Sequence, residues 1–234
     1  MKLTKVDTVY QLSFMPRVFP VNCYFIEEED SLTLVDAALP YSGKSILKAA
    51  RIIGKPITRI IVTHAHDDHV GALDGLKALM PDVQVSISIR EASLLAGDSS
   101  PLQNENPIRG GVPKNIQTQP DLLLKEGDRI GSLEVIYSPG HTPGSISLLD
   151  TRNHSLIVGD ALQTRGGTAI SGIIKPLFPF PAFATWDKLL ALESAKKLRS
   201  LNPHLLAVGH GKMLEQPGNS MDKAIIEAEL KFQQ

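Results

Sequence analysis

One run of seven residues, Thr63-His64-Ala65-His66-Asp67-Asp68-His69, constrains this chain more than any other stretch. The residues before it, Ile57 to Val62, are rich in β-branched side chains and predict a buried strand. Three imidazoles and two carboxylates therefore gather at a strand end. With 7 His in 234 residues, the pattern H-x-H-x-D-H arises by chance roughly once in a few thousand chains of this composition. Alternate residues of an extended strand end point the same way, so His64 and His66 can reach one cation. Asp68 and His69 are neighbours and project differently. If the backbone turns into a helix there, this pair addresses a second cation close to the first.

Three further ligand-competent residues stand in similar settings. His141 lies in SPGHTPGS after a predicted strand Leu133 to Tyr137, Asp160 in IVGD after Leu156 to Val158, and His210 in VGHG after Leu205 to Val208. Each follows a short apolar strand and stands beside glycine, as expected where a rigid sheet delivers ligands to one edge and the backbone must make way. Cys23 is the only cysteine. That excludes an intramolecular disulfide and a thiolate cluster, leaving His and carboxylate as the strong metal ligands.

The remaining sequence predicts alternating short strands and helices. Thr8 to Phe14, Asn22 to Ile26 and Leu32 to Val35 read as an antiparallel meander, followed by a helix from Ser42 to Gly54. A second helix is expected over Asp68 to Met80 and a strand over Val83 to Ile89. Beyond the strand Leu133 to Tyr137 come strands Ser145 to Leu149 and Leu156 to Val158, then a helix from Thr185 to about Leu201. A strand Leu205 to Val208 and a helix near Ser220 to Phe232 end the chain. No repeat, low-complexity tract or linker interrupts residues 1–234, so one domain is expected. The expected class is α/β (α+β), with two mixed sheets face to face and helices outside. Residues 97–121 are too long and too rich in Pro, Gly, Asn and Ser for a simple connection, and read as a lid.

Composition removes several functions. Lys plus Arg number 24 against 25 Asp plus Glu, a net charge of −1, so no large field exists to hold nucleic acid or anionic lipid. The most apolar stretch, Ala169 to Ala184, carries Lys175 and is broken by Pro176, Pro179 and Pro181, which argues against a membrane span. The N-terminus lacks the pattern of a signal peptide, and with a single cysteine a cytoplasmic setting is expected.

With these residues in view, the chain resembles the metallo-β-lactamase fold superfamily, whose signature is H-x-H-x-D-H, a distant His, a bridging Asp and a final His. The resemblance implies a four-layer αββα sandwich. It implies that His64, His66 and His141 bind one metal, that Asp68, His69 and His210 bind the other, and that Asp160 bridges them. Asp36, which ends TLVD, is similar to the strand-end Asp that supports such sites. Two divalent metal ions are expected, zinc first by ligand type, with iron, manganese and cobalt left open. A metal-bridging hydroxide would then cleave a small ester, thioester or lactone, as in the similar glyoxalase II and lactonase branches, with Asp68 relaying a proton. Phosphodiesterase or nuclease action on the same metals, or mononuclear-iron dioxygenase chemistry, are the alternatives.

The expected partner is a small-molecule substrate, with no nucleic acid and no membrane. Residues 161–184 hold Ile173, Ile174, Leu177, Phe178, Phe180 and Phe183, which suit the wall of an acyl pocket or a surface covered by the core or by a homodimer partner. Arg165 and Lys175 read as solvated lid charges or substrate anchors, and Asp67 as a helix-entry carboxylate. His154 and His204 fall outside the ligand pattern, and Cys23 and Trp186 read as packing residues.

Overall fold

The structure is a computed structural model that describes residues 1–103 and 105–232. Asn104, inside the expected lid, lies outside the described residues, as do the last two. The chain forms two compact units: Met1–Asp98 with Gly111–Leu124, and Ser99–Gly110 with Lys125–Gln234.

In the first unit, strands β1 (Lys2–Val6), β2 (Val9–Phe14), β3 (Val21–Glu27) and β4 (Leu32–Val35) form the expected antiparallel meander. Helix α1 (Gly43–Ile53) buries Ile46, Ala49 and Ala50, and stops where Gly54 takes a left-handed φ of 83°. Strand β5 (Ile57–Ile61) then pairs parallel to β4. The helix expected over Asp68 to Met80 is two pieces, α2 (Asp67–Val70) and α3 (Leu73–Leu79). At the break the backbone turns to another segment, and the close approach there requires glycine. Val70 bridges to Ala38, the Gly71 N–H donates to the Ala38 carbonyl at 2.8 Å, and a Cβ on Gly71 would stand 2.6 Å from Pro40.

Strand β6 (Gln84–Ser88), helix α4 (Ile89–Leu95) and strand β7 (Leu122–Leu124) complete this unit. Its sheet has seven strands in sequential order, and β4 through β7 run parallel. Parallel strands end on one edge. Asp36 after β4, residues 63–69 after β5 and Glu91 after β6 are therefore neighbours, although distant in sequence.

The second unit holds β8 (Arg129–Ile130), β9 (Leu133–Tyr137), β10 (Ile146–Asp150), β11 (Ser155–Ile157), a small β12 (Leu162–Gln163) and β13 (Ala169–Ile170) pair, and helix α5 (Phe180–Phe183). Helix α6 (Lys188–Ser200), strands β14 (Leu205–Ala207) and β15 (Leu214–Glu215) and helix α7 (Gly218–Phe232) follow. Its sheet order is β15-β14-β11-β10-β9-β8. Strand β9 is antiparallel to β10, β10 to β11, and β11 is parallel to β14. Strands β9, β11 and β14 thus point the same way, and their C-terminal ends deliver His141, Asp160 and His210 to one edge. Helices α6 and α7 pack on a core that includes Leu156, Ile173, Leu198, Leu206 and Met221. No helix among the described residues is long and apolar enough to cross a membrane.

Candidate metal centre

In the first unit, Asp36 stands at a left-handed φ of 62°, a strained position from which its carboxylate faces the loop after β5. It accepts the Thr63 N–H at 2.8 Å and the Thr63 hydroxyl at 2.9 Å, and lies 2.8 Å from His69 Nδ1. Because an ionised carboxylate only accepts, His69 Nδ1 is a donor and its Nε2 bears the lone pair. His64 is held in the same tautomer. Thr63 gives its one proton to Asp36, so His64 Nδ1, 3.1 Å from the Thr63 hydroxyl, must donate, and its Nε2 is left as the ligand atom.

The rings of His64 and His66 lie 4.9 Å apart edge to face, and those of His64 and His69 4.0 Å apart. Ligand atoms of His64 and His66, of His64 and His69, and of Asp68 and His69 lie within 4.8 Å of one another. All three histidines are buried and Asp68 is half-buried. Asp67 is exposed at the start of α2, as expected of a helix-entry carboxylate. Partial desolvation, then the like charge of Asp68, raise its carboxyl from its ordinary value.

Residues 111–118 wall this side of the unit. The Gly111 carbonyl accepts the Asp67 N–H at 2.8 Å, and Asp74 accepts the backbone N–H groups of Gln117 and Thr118. A cavity of about 300 Å³ beside Asp68 is bounded by Leu39, Pro40, Pro113 and Ile116.

In the second unit, the Asp160 carboxylate stands between two imidazoles, its Oδ2 at 3.4 Å from His141 Nε2 and 3.1 Å from His210 Nε2. Ser171 donates its hydroxyl proton to the Asp160 carbonyl at 2.8 Å, so His141 Nδ1, 2.9 Å away, donates to Ser171 and His141 Nε2 carries the lone pair. A lone pair facing a carboxylate oxygen at that distance is repulsive unless positive charge stands beside both. The three residues are buried. Their glycines make the room expected of them: a Cβ on Gly140 would meet Ala191 N at 2.3 Å, and one on Gly211 would meet the Thr164 hydroxyl at 2.1 Å. The Gly209 N–H donates to the Gly159 carbonyl at 2.7 Å, fastening the loops that carry His210 and Asp160.

All seven predicted ligands thus stand at strand-end edges, four in one unit and three in the other. The donor set, imidazole Nε2 atoms and carboxylates with the Nδ1 atoms of His64, His69 and His141 engaged, fits a divalent metal ion. Sequence reasoning missed Thr63, Ser171 and Glu91. Glu91 is fully buried and its Oε2 accepts the Ala65 N–H at 2.7 Å. The spacing Ser88-x-x-Glu91 is the one sequence signal that marked it, since it opens a helix.

The apolar segment after Asp160 divides. Phe178 is buried against the His210 ring, 5.0 Å between centroids, whereas Ile174, Leu177, Phe180 and Phe183 are exposed. Lys175 pairs with Glu227 at 2.6 Å, so its charge is met within the unit. Trp186, expected in the core, is half-buried, because its indole N–H must reach the Asn106 carbonyl at 2.8 Å.

The sequence profile of the family described as Metallo-beta-lactamase superfamily matches residues 16–210. The chain belongs to the metallo-β-lactamase superfamily. It is 56% identical over 230 residues to the YobT protein of Bacillus subtilis (strain 168), covering 97% of this chain and 99% of that one. It is 32% identical over 212 residues to the "Probable metallo-hydrolase YflN" of the same organism, covering 81% of this chain and 80% of that one. Among solved structures, a metallo-beta-lactamase from Pontibacter korlensis superposes with a TM-score of 0.73 over 97% of this chain and 98% of that one, at 17% identity. The α/β class, the two large mixed sheets and the metallo-β-lactamase fold expected from the sequence are therefore borne out. So is membership in a superfamily of metal-dependent hydrolases, with a His and Asp cluster able to hold divalent metal.

Proposed function

We propose that the seven residues act as one binuclear centre and that the chain hydrolyses a small ester, thioester or lactone. In this reading His64, His66 and His141 hold one cation, Asp68, His69 and His210 hold the other, and Asp160 is shared. The observation that carries it is His141 Nε2 set 3.4 Å from Asp160 Oδ2: with Nδ1 turned to Ser171, a neutral imidazole presents its lone pair to the carboxylate, and a metal cation between them takes both as ligands. Zinc suits these ligands best. Bound there, divalent cations polarise a carbonyl and make water nucleophilic near neutral pH.

The chain's own residues do the rest. Asp36, Thr63 and Ser171 hold the imidazoles of His69, His64 and His141 in the tautomer that offers Nε2. Asp68, half-buried and so within reach of solvent, takes the proton of the attacking water. The cavity beside Asp68 joins apolar walls, Leu39, Pro40, Pro113 and Ile116, to the polar Asp67, Lys114 and Asn115, which suits a small substrate with an apolar group next to a polar carbonyl. A net charge of −1 agrees with a small uncharged or weakly charged substrate rather than nucleic acid.

The test is a panel of p-nitrophenyl esters, lactones, thioesters and phosphodiesters, run with zinc-loaded wild type and Asp68→Asn. Turnover confined to carbonyl substrates, with kcat lowered by about 100-fold or more in the variant, is expected. Turnover of phosphodiesters alone, or a variant that keeps both metals and near-normal kcat, contradicts the reading.

A further inference from the structure

Glu91 occupies an unusual position for an ionisable side chain. It opens the short helix α4 directly after β6, its side chain is wholly buried, and its Oε2 accepts the backbone N–H of Ala65 at 2.7 Å. Ser88 caps the helix by accepting the Glu91 N–H, which fixes where the Glu91 side chain starts. Ala65 is the residue between His64 and His66, and it too is fully buried. Burying a carboxylate carries a desolvation cost that an apolar residue in the same place would avoid. Within helix α4 the charge gains only the modest first-turn interaction with the helix N-terminus. What the carboxylate does supply is a charge-assisted hydrogen bond across 26 residues of sequence to the one backbone N–H inside the H-x-H motif.

That bond has a geometric consequence. Holding the Ala65 N–H fixes the peptide plane between His64 and Ala65, and with it the ψ of His64 and the φ of Ala65. Those are two of the four backbone angles that set how the Cα–Cβ directions of His64 and His66 are turned relative to each other. Asp36 grips the same loop from the β4 side, through Thr63 and His69. The loop is thus held just before the H-x-H motif at Thr63, within it at Ala65, and three residues beyond it through the His69 ring.

We propose that Glu91 is a positioning residue for the His64 and His66 pair, acting through the Ala65 peptide to keep both imidazoles directed at one cation. This rests on the reading of those histidines as metal ligands. It makes Glu91 a determinant of metal affinity, not a ligand.

The test uses the full chain, stripped with a chelator and titrated with Co²⁺, following the visible absorption band and the affinity of the tightest equivalent. Folding is checked separately by thermal melting. Glu91→Ala removes the acceptor and is expected to weaken binding by about 10–100-fold and to change the cobalt band. Glu91→Gln keeps an oxygen at the same reach and is expected to restore the band and most of the affinity. If Glu91→Ala does not fold, Glu91→Asp serves, since its carboxylate is drawn back by one methylene and is expected to bind as weakly. A folded Glu91→Ala or Glu91→Asp with wild-type affinity and band overturns the proposal, as does a Glu91→Gln as weak as Glu91→Ala. Wild type that takes up no cobalt overturns the functional reading and this inference together, whereas wild-type uptake with an unaffected alanine variant overturns this inference alone.

Discussion

Gly140 and Gly75 make opposite predictions because their surroundings differ. Gly140 holds φ +136° immediately before His141, and an added Cβ would stand 2.3 Å from Ala191 N and 2.4 Å from Ala191 Cα, both backbone atoms of α6 that cannot yield. Gly140→Ala therefore combines overpacking with backbone strain and should cost about 3 kcal/mol, a fall in Tm of about 6–12 °C. It should also weaken metal uptake, since relief of the clash displaces His141. Gly75 lies in α3 with nothing within 4 Å of an added Cβ. Gly75→Ala should raise stability by up to about 1 kcal/mol through helix propensity. Melting curves of the two variants with and without zinc check both signs; a destabilised Gly75→Ala or a neutral Gly140→Ala contradicts the packing described. At this scale the sequence was most readable in the run 64–69, where four ligands stand together, and next where a single ligand stood beside its glycine. Ser171 carried no signal and Glu91 only that of a helix start, because their partners, His141 and Ala65, lie 30 and 26 residues away and only the fold brings them together.

Glu27 ties several elements of the first sheet, and acid should loosen them. On β3, it pairs with Lys5 of β1 at 2.8 Å and Lys55 before β5 at 3.0 Å, and accepts the Tyr10 hydroxyl of β2 at 3.1 Å. The Lys5 hydrogen bond, followed by that of Lys55, holds its carboxyl at about 2 against an ordinary 4.5. The folded state thus favours the ionised form. The stabilisation is fully present above about pH 4.5 and is lost as pH falls toward 2, and is worth about 1–2 kcal/mol once partial exposure is discounted. Tm measured from pH 6 to pH 3 should fall more steeply in wild type than in Glu27→Gln, and parallel slopes would contradict this.

Element boundaries show where sequence patterns reach their limit. The meander and α1 were legible because their apolar periods are unbroken. Strand β1 was not, since Lys2–Val6 is an edge strand with three of its five residues lysine or threonine and no fully buried position. Strands β8, β12, β13 and β15 are two residues each, too short for any period. The α2–α3 break lies where Val70 and the Gly71 N–H turn to Ala38, a partner more than thirty residues away that no local pattern announces.

At the scale of the whole molecule, two sheets built from different stretches of chain solve the same problem. In each, strands of one direction end on one edge, and the residues just beyond them are imidazoles and carboxylates whose orientation is fixed by a hydroxyl or a carboxylate behind them. On the proposed reading the two sets serve the same pair of cations, and neither set alone supplies enough ligands for both. Elemental analysis of the full chain, loaded with zinc and desalted, tests this most directly. About two zinc ions per chain in wild type, falling to about one in His141→Ala, is the predicted result. A well-folded wild type that retains no stoichiometric metal, or a His141→Ala variant that keeps the wild-type content, would contradict it.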